Sequence, residues 1–172
     1  MTEGLLVGSR TKAALRRISV LLTLILVIRG YIFLPVLVIG NSMLPTLHPG
    51  QVAVVNRLAY SLQSPQRGDV VVVRTGSELM IKRIVGLPGE EIALEDGFFY
   101  INGEPLQEPY VQSRGHDTIA AGKIAAAHFV VAGDNRAESL IAVVDNVRIK
   151  GRVGTGFGRA RWQNPVPMVL PP

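Results

Sequence analysis

Between Ile18 and Ile39 the chain is apolar but for Ser19, Thr23, Arg29 and a glycine. About 20 such residues in helical form cross a bilayer core, so this segment divides the molecule before any other feature is weighed. Arg10, Lys12, Arg16 and Arg17 stand just ahead of it, the basic flank expected on the cytoplasmic side of an anchor. Arg29 falls near the far end, where its stem can carry the charge to the headgroups. Pro35 predicts that regular helix stops near Leu34. A cleavable secretory signal would need a small-x-small site behind its apolar region, and the residues there are Arg29-Gly30-Tyr31-Ile32-Phe33. The reading is a basic cytoplasmic tail over 1–17, an uncleaved transmembrane anchor over 18–39, and everything after Gly40 across the membrane.

The net charge of +5 raises the question of a nucleic-acid partner. Residues 1–40 hold five basic side chains against Glu3, and the other 132 hold thirteen basic and twelve acidic groups. The body is therefore nearly neutral, and the reading of a nucleic-acid partner loses its main support, so none is expected. The chain has no cysteine, which excludes a disulfide framework, a thiol nucleophile and a cysteine-ligated zinc. His48, His116 and His128 have no spacing that suits a metal, so no metal is expected.

Beyond residue 40 the pattern is short β-rich runs between turn residues. Candidate strands are Val52–Asn56, Val70–Arg74, Leu79–Val85, Glu91–Leu94, Phe98–Ile101, Phe129–Ala132 and Val147–Val153. Asp96-Gly97 and Asn102-Gly103 each suit a tight hairpin, which predicts an antiparallel meander. Pro105 places the strand after the second turn at an edge or ends it. Residues 112–127 read as a surface excursion and 154–172 as an irregular tail. The β domain proper is expected over 40–153.

Two residues stand out chemically. Ser42 lies in the small-residue turn Gly40-Asn41-Ser42-Met43-Leu44-Pro45-Thr46, where Gly40 allows close backbone approach and Pro45 stiffens the exit. Such a turn can expose a hydroxyl and aim backbone N–H groups at a developing oxyanion. Lys82 lies in Met80-Ile81-Lys82-Arg83-Ile84-Val85, and strand alternation puts Met80 and Ile84 on its own face. A lysine in that company is either at a wet strand edge, where it discourages aggregation, or partly buried. Burial disfavours the ammonium and can lower a lysine pKa by ~3–5 units, which makes a base.

Four segments in order resemble the conserved boxes of the signal peptidase I family. They are Gly40-Asn41-Ser42-Met43-Leu44-Pro45-Thr46-Leu47, Gly68-Asp69-Val70-Val71-Val72, Lys82-Arg83-Ile84-Val85-Gly86-Leu87-Pro88-Gly89 and Gly133-Asp134-Asn135-Arg136. The resemblance implies a mainly antiparallel β serine endopeptidase that needs no cofactor and removes signal peptides from secretory preproteins after small-x-small sites. It implies Ser42 as nucleophile, Lys82 as general base and Ser139 as the serine that orients the lysine. Oxyanion and substrate binding fall to the Ser42 backbone, Gly40 and Met43. Pro45, Gly68, Asp69, Arg83, Gly133, Asp134, Asn135 and Arg136 take structural roles, and the partners are preproteins and the lipid bilayer.

Two positions depart from the family pattern. Where many members carry a serine two positions before the nucleophile, this chain has Gly40. The serine matched by Ser139 is normally followed by one residue and then Asp-Ser-Arg, whereas here Leu140-Ile141-Ala142-Val143 follows, with Asp145 and Arg148 beyond as candidates for the lost ion pair. That loss supports one alternative from another class, a membrane-anchored β domain that binds signal peptides or a partner without cutting. Self-cleaving repressors also pair serine with lysine, but their DNA-binding N-terminal domain is replaced here by the hydrophobic segment.

Overall fold

The computed structural model describes residues 3–157. By its internal contacts the chain divides into two units, Met1–Leu34 and Pro35–Pro172. The first is a single helix, α1 (Glu3–Ile32). Along it Leu15, Ile18, Val20, Leu21, Leu22, Leu24 and Leu26 are all exposed.

This helix corrects the expected span over 18–39. It ends at Ile32, and Phe33–Leu37 is a strand, β1. Within the helix the uncharged run Ile18–Ile28 rises about 16 Å against a hydrocarbon core of ~30 Å. Among the described residues no helix is long and apolar enough to cross a membrane. The sequence reading carried the anchor to Ile39 with regular helix ending near Leu34, but Phe33–Leu37 is strand, and Val36 and Val38 serve a β core.

The second unit is antiparallel β. The remaining strands are β2 (Val52–Asn56), β3 (Val70–Thr75), β4 (Glu78–Gly86), β5 (Glu91–Glu95), β6 (Phe98–Ile101), β7 (Glu104–Pro105), β8 (Ile119–Lys123), β9 (His128–Ala132), β10 (Ala142–Asp145) and β11 (Ile149–Phe157). Seven of them form one sheet in the order β1-β2-β11-β3-β4-β9-β10, and four form a second in the order β7-β6-β5-β8. Asp96 and Asn102 adopt left-handed backbone at φ 46° and 51°, and these two turns join β5 to β6 and β6 to β7.

The core explains why β3 reads as an unbroken apolar run. Alternate strand residues face opposite sides: Val70 and Val72 pack with Val38, Met43, Leu47 and Val55, whereas Val71 and Val73 pack with Ile84, Phe129, Val131 and Val144. The centre of the large sheet is thus covered on both faces. A third cluster of Val85, Leu94, Phe99, Ile124, Val130 and Ala132 joins residues of the two sheets.

Strand boundaries moved where tertiary pairing overrode local pattern. Val147 and Arg148 belong to a 3-10 turn, Asn146–Arg148, ahead of β11, and β11 runs on to Phe157 by pairing with β2. The first residues of the expected irregular tail are therefore strand, and the rest of it, with Trp162, lies outside the described residues. The excursion over 112–127 contains β8, which is exposed throughout and pairs with β5.

Candidate active site

Ser42 is carried by a turn anchored from within. Its neighbour Met43 and the nearby Leu47 are buried in the core cluster beneath β2 and β3, so the turn is nailed down on one side while Ser42 stays half-buried. Gly40 has φ +84°, a conformation that L side chains rarely adopt. An added Cβ there would meet no atom within 4 Å. Glycine is thus required for conformation rather than for the close approach expected from the sequence. The Leu44–Pro45 peptide bond is cis.

Lys82 sits in the middle of β4 opposite Val71 of β3, and only 4% of it is exposed. Its Nζ donates to Ser139 Oγ at 2.6 Å. Burial lowers its proton affinity below the ordinary 10.5, and the negative charge of Asp134 opposes that fall. Ser139 is itself fixed, since its Oγ accepts from Gly133 N–H at 2.9 Å and lies 3.3 Å from Leu140 O, to which it can donate. Ser42 and Lys82 line one cavity of about 200 Å³, together with Val36–Gly40, Met43 and Leu79–Ile81. Gly133 lies where these parts converge, because a Cβ there would collide with Ser139 Oγ and Ser42 O. This is a true close approach.

Beneath the site lies a buried charge network. Arg83, next to Lys82, donates from Nε to Asp134 Oδ1 at 2.8 Å and from Nη2 to Oδ2 at 2.6 Å. It also donates to Gly68 O at 2.8 Å and Thr46 Oγ1 at 3.2 Å. Thr46 Oγ1 in turn donates to Asp134. Arg136 donates from Nε to Gly133 O at 2.8 Å and from Nη1 to Glu108 Oε2 at 2.8 Å. Tyr110 OH donates to Glu108 Oε1 at 2.9 Å, and its ring lies 4.0 Å from the Arg83 guanidinium carbon. Burial first, then the Glu108 charge, raises the Tyr110 pKa, so the phenol stays a neutral donor. Asp69 accepts from Tyr60 OH at 2.9 Å and Gln66 N–H at 3.1 Å, and it ties the start of β3.

Thr46, Glu108 and Tyr110 were given no role from the sequence. Thr46 stood inside a recognised motif, but a single acid and a tyrosine between Gln107 and Val111 carry no pattern that marks burial. Asp145 and Arg148 do form an ion pair, at 3.2 Å, but with each other and partly exposed, where Asp145 also accepts from Arg148 N–H at 3.1 Å. The apolar segment after Ser139 has its own use. Ile141 packs against the third core cluster, Val144 is buried in the second, and β10 pairs with β9 from Ala142 onward, while Leu140 is 79% exposed. Ser139 is held by this edge strand and by Gly133. Replacement of Ser139 by alanine is expected to lower kcat about 10–100-fold with little change in melting temperature; unchanged kcat in a steady-state assay would remove its role in orienting Lys82.

Among the described residues no group of His, Cys, Asp and Glu is arranged to hold a metal. His116 pairs with Asp96 at the surface.

A half-buried hydroxyl thus shares a cavity with a buried amine that a second hydroxyl holds, an arrangement of the kind serine peptidase chemistry uses. The family model described as "Signal peptidase, peptidase S26" matches residues 11–152. The chain is 31% identical over 153 residues to "Signal peptidase I" of Bacillus licheniformis, covering 79% of this chain and 82% of that one. It is 34% identical over 137 residues to "Signal peptidase I T" of Bacillus subtilis (strain 168), covering 73% and 71%. A solved signal peptidase I from Enterococcus faecalis aligns with a TM-score of 0.47 at 24% identity, over 54% of this chain and 98% of that one. The chain belongs to the signal peptidase family, peptidase S26.

Proposed function

We propose that Ser42 is the nucleophile and Lys82 the general base with which this serine peptidase removes signal peptides from preproteins. The observation that carries the assignment is the desolvated Lys82 amine, hydrogen-bonded to Ser139 and sharing a cavity with Ser42. Ser42 Oγ adds to the scissile carbonyl carbon as its proton passes to Lys82 Nζ. Negative charge gathers on the carbonyl oxygen, where the Ser42 N–H is the donor. Collapse returns the proton from Lys82 to the leaving amine nitrogen and leaves an acyl ester on Ser42. Water, giving a proton to Lys82 Nζ, then adds to the acyl carbon; the bond to Ser42 Oγ breaks, the proton passes from Nζ to Oγ, and the carboxylic acid product leaves. The apolar lining beside Ser42, with Val36, Val38 and Met80, suits small side chains such as alanine ahead of the cut.

The test is cleavage of a preprotein with an Ala-x-Ala site by the full-length chain in detergent, with the product's new N-terminus sequenced. Cleavage directly after the second alanine, lost when that residue becomes bulky, supports the assignment. Failure to cut there overturns it. The binding-only alternative draws no support from the lost Asp-Ser-Arg, because the Lys82–Ser139 contact stands without it.

We further propose that α1 anchors the chain in the cell membrane as a single pass, with the basic N-terminus cytoplasmic and the catalytic domain on the exported side. A helix with apolar residues exposed on every face is stable in lipid rather than in water. Ile18–Ile32 rises about 22 Å, and Arg17 and Arg29 can reach the headgroups of a locally thinned bilayer along their stems. The chain is expected to resist carbonate extraction and to expose its catalytic domain to protease added outside spheroplasts. Release by carbonate, or protection from that protease, would contradict this arrangement.

A further inference from the structure

The nucleophile turn and the loop carrying Ser139 are joined by a residue whose side chain does nothing for its own turn. Asn135 precedes the 3-10 turn Arg136–Glu138, a position where an asparagine ordinarily caps with its side chain, yet it makes no such bond. Its backbone N–H donates to Ser42 O at 3.1 Å. Its Nδ2 donates to Asn41 O at 3.3 Å, across 94 positions of sequence. Asn41 O also accepts from Leu44 N–H at 3.1 Å, which closes the turn.

Asn135 is 7% exposed, and its Oδ1 is buried with no hydrogen-bond partner among the described residues. Reversing the amide would set Oδ1 against Asn41 O, acceptor to acceptor, so the contact itself fixes the orientation. A buried unpaired acceptor destabilises a fold, and stability alone therefore gives no reason for this side chain.

The peptide unit supplies the reason. It is planar and trans, so the C=O of Asn41 and the N–H of Ser42 lie in one plane and point in opposite directions. Whatever holds Asn41 O also aims Ser42 N–H. We infer that Asn135 is a positioning residue for the oxyanion: by gripping the Asn41 carbonyl it aims the Ser42 N–H at the oxygen that becomes negative during attack. The inference rests on the reading of Ser42 as nucleophile and adds to it the residue that sets its oxyanion donor.

The experiment compares Asn135→Leu, close in shape and without the donor, and Asn135→Ala with the parent, full length and in detergent, with Ser42→Ala alongside. In both Asn135 variants kcat on the Ala-x-Ala preprotein is expected to fall about 10–100-fold. KM and the midpoint of the pH–rate profile stay in place, and the melting temperature of Asn135→Leu does not fall. A peptide aldehyde ending at the cleavage site adds a further reading. Ser42 Oγ bonds to its carbonyl carbon, the serine proton ends on the former carbonyl oxygen, and that oxygen then occupies the oxyanion position. Its affinity should drop by the same factor as kcat/KM, while the matching peptide without the aldehyde binds as it does to the parent.

Unchanged kcat and aldehyde affinity in the Asn135 variants, with Ser42→Ala inactive, overturns the inference and leaves the serine assignment standing. A raised KM with a displaced pH midpoint in both variants makes Asn135 a general support of the loop and overturns it equally. Undiminished cleavage by Ser42→Ala overturns both readings.

Discussion

At neutral pH Lys82→Met is expected to cleave about 10²–10⁴-fold more slowly than the parent and yet to unfold at a higher temperature. The two effects have one cause. Lys82 is buried in the sheet, and the loss of water lowers its proton affinity despite Asp134. A lowered lysine pKa means that the folded chain binds fewer protons than the unfolded chain between the depressed value and 10.5. The stability of the parent therefore rises with pH through that window, and below it the buried ammonium destabilises the fold. Methionine has similar length and no charge, and Ser139 Oγ keeps its contacts with Gly133 and Leu140. The gain should be about 1 kcal/mol at neutral pH and should vanish as the parent amine becomes neutral. Lys82→Arg loses as much activity without the gain, because guanidinium stays charged at every accessible pH. The parent's single-turnover rate should rise with pH through the depressed midpoint. Thermal melts over a pH series and single-turnover cleavage check both halves. A flat rate profile, or turnover retained in Lys82→Met, would show that the amine is not the base.

Features that depend on local chemistry were legible in the sequence. The two hairpins follow from Asp96-Gly97 and Asn102-Gly103, where residue type alone selects the turn, and the β3 and β4 runs are apolar enough to admit no other reading. The family followed from four ordered boxes. What escaped was set by contacts between distant segments. Phe33–Leu37 is as apolar as a helix meant for lipid, and only its neighbour β2 makes it a strand. β8, Ile-Ala-Ala-Gly-Lys, has weak propensity of its own and exists because β5 offers an edge. Glu108 carried no mark in the sequence, since only the arrival of Arg136 from 28 positions away makes its burial tolerable. Gly40 was assigned the right residue type for the wrong reason, because a positive φ and a close approach leave the same mark in a sequence.

Asp134→Ala is expected to destabilise the chain by about 3–5 kcal/mol, because it strands a buried guanidinium. Arg83 is 2% exposed and Asp134 is fully buried, and the carboxylate takes two of the guanidinium's hydrogen bonds as well as one from Thr46. Removing one partner leaves the full desolvation penalty of the other in place. For a domain with about 5–15 kcal/mol in hand that is enough to shift urea unfolding far toward low denaturant. Replacing both charges, in Asp134→Leu with Arg83→Met, is expected to recover most of the loss, since nothing charged then remains to be paired. The site should register the change separately. Asp134 holds the Lys82 proton on, so without its charge the midpoint of the pH–rate profile moves to lower pH in the fraction of Asp134→Ala that stays folded. Urea titration and pH–rate measurements on the same preparations separate the two roles. A single variant as stable as the parent would show that the pair does not brace the fold. An unmoved midpoint in Asp134→Ala would show that Asp134 does not act on the base. Arg83 and Lys82 are adjacent in sequence and leave β4 on opposite faces, so one strand carries both the charge that must stay paired and the amine proposed to give up its proton.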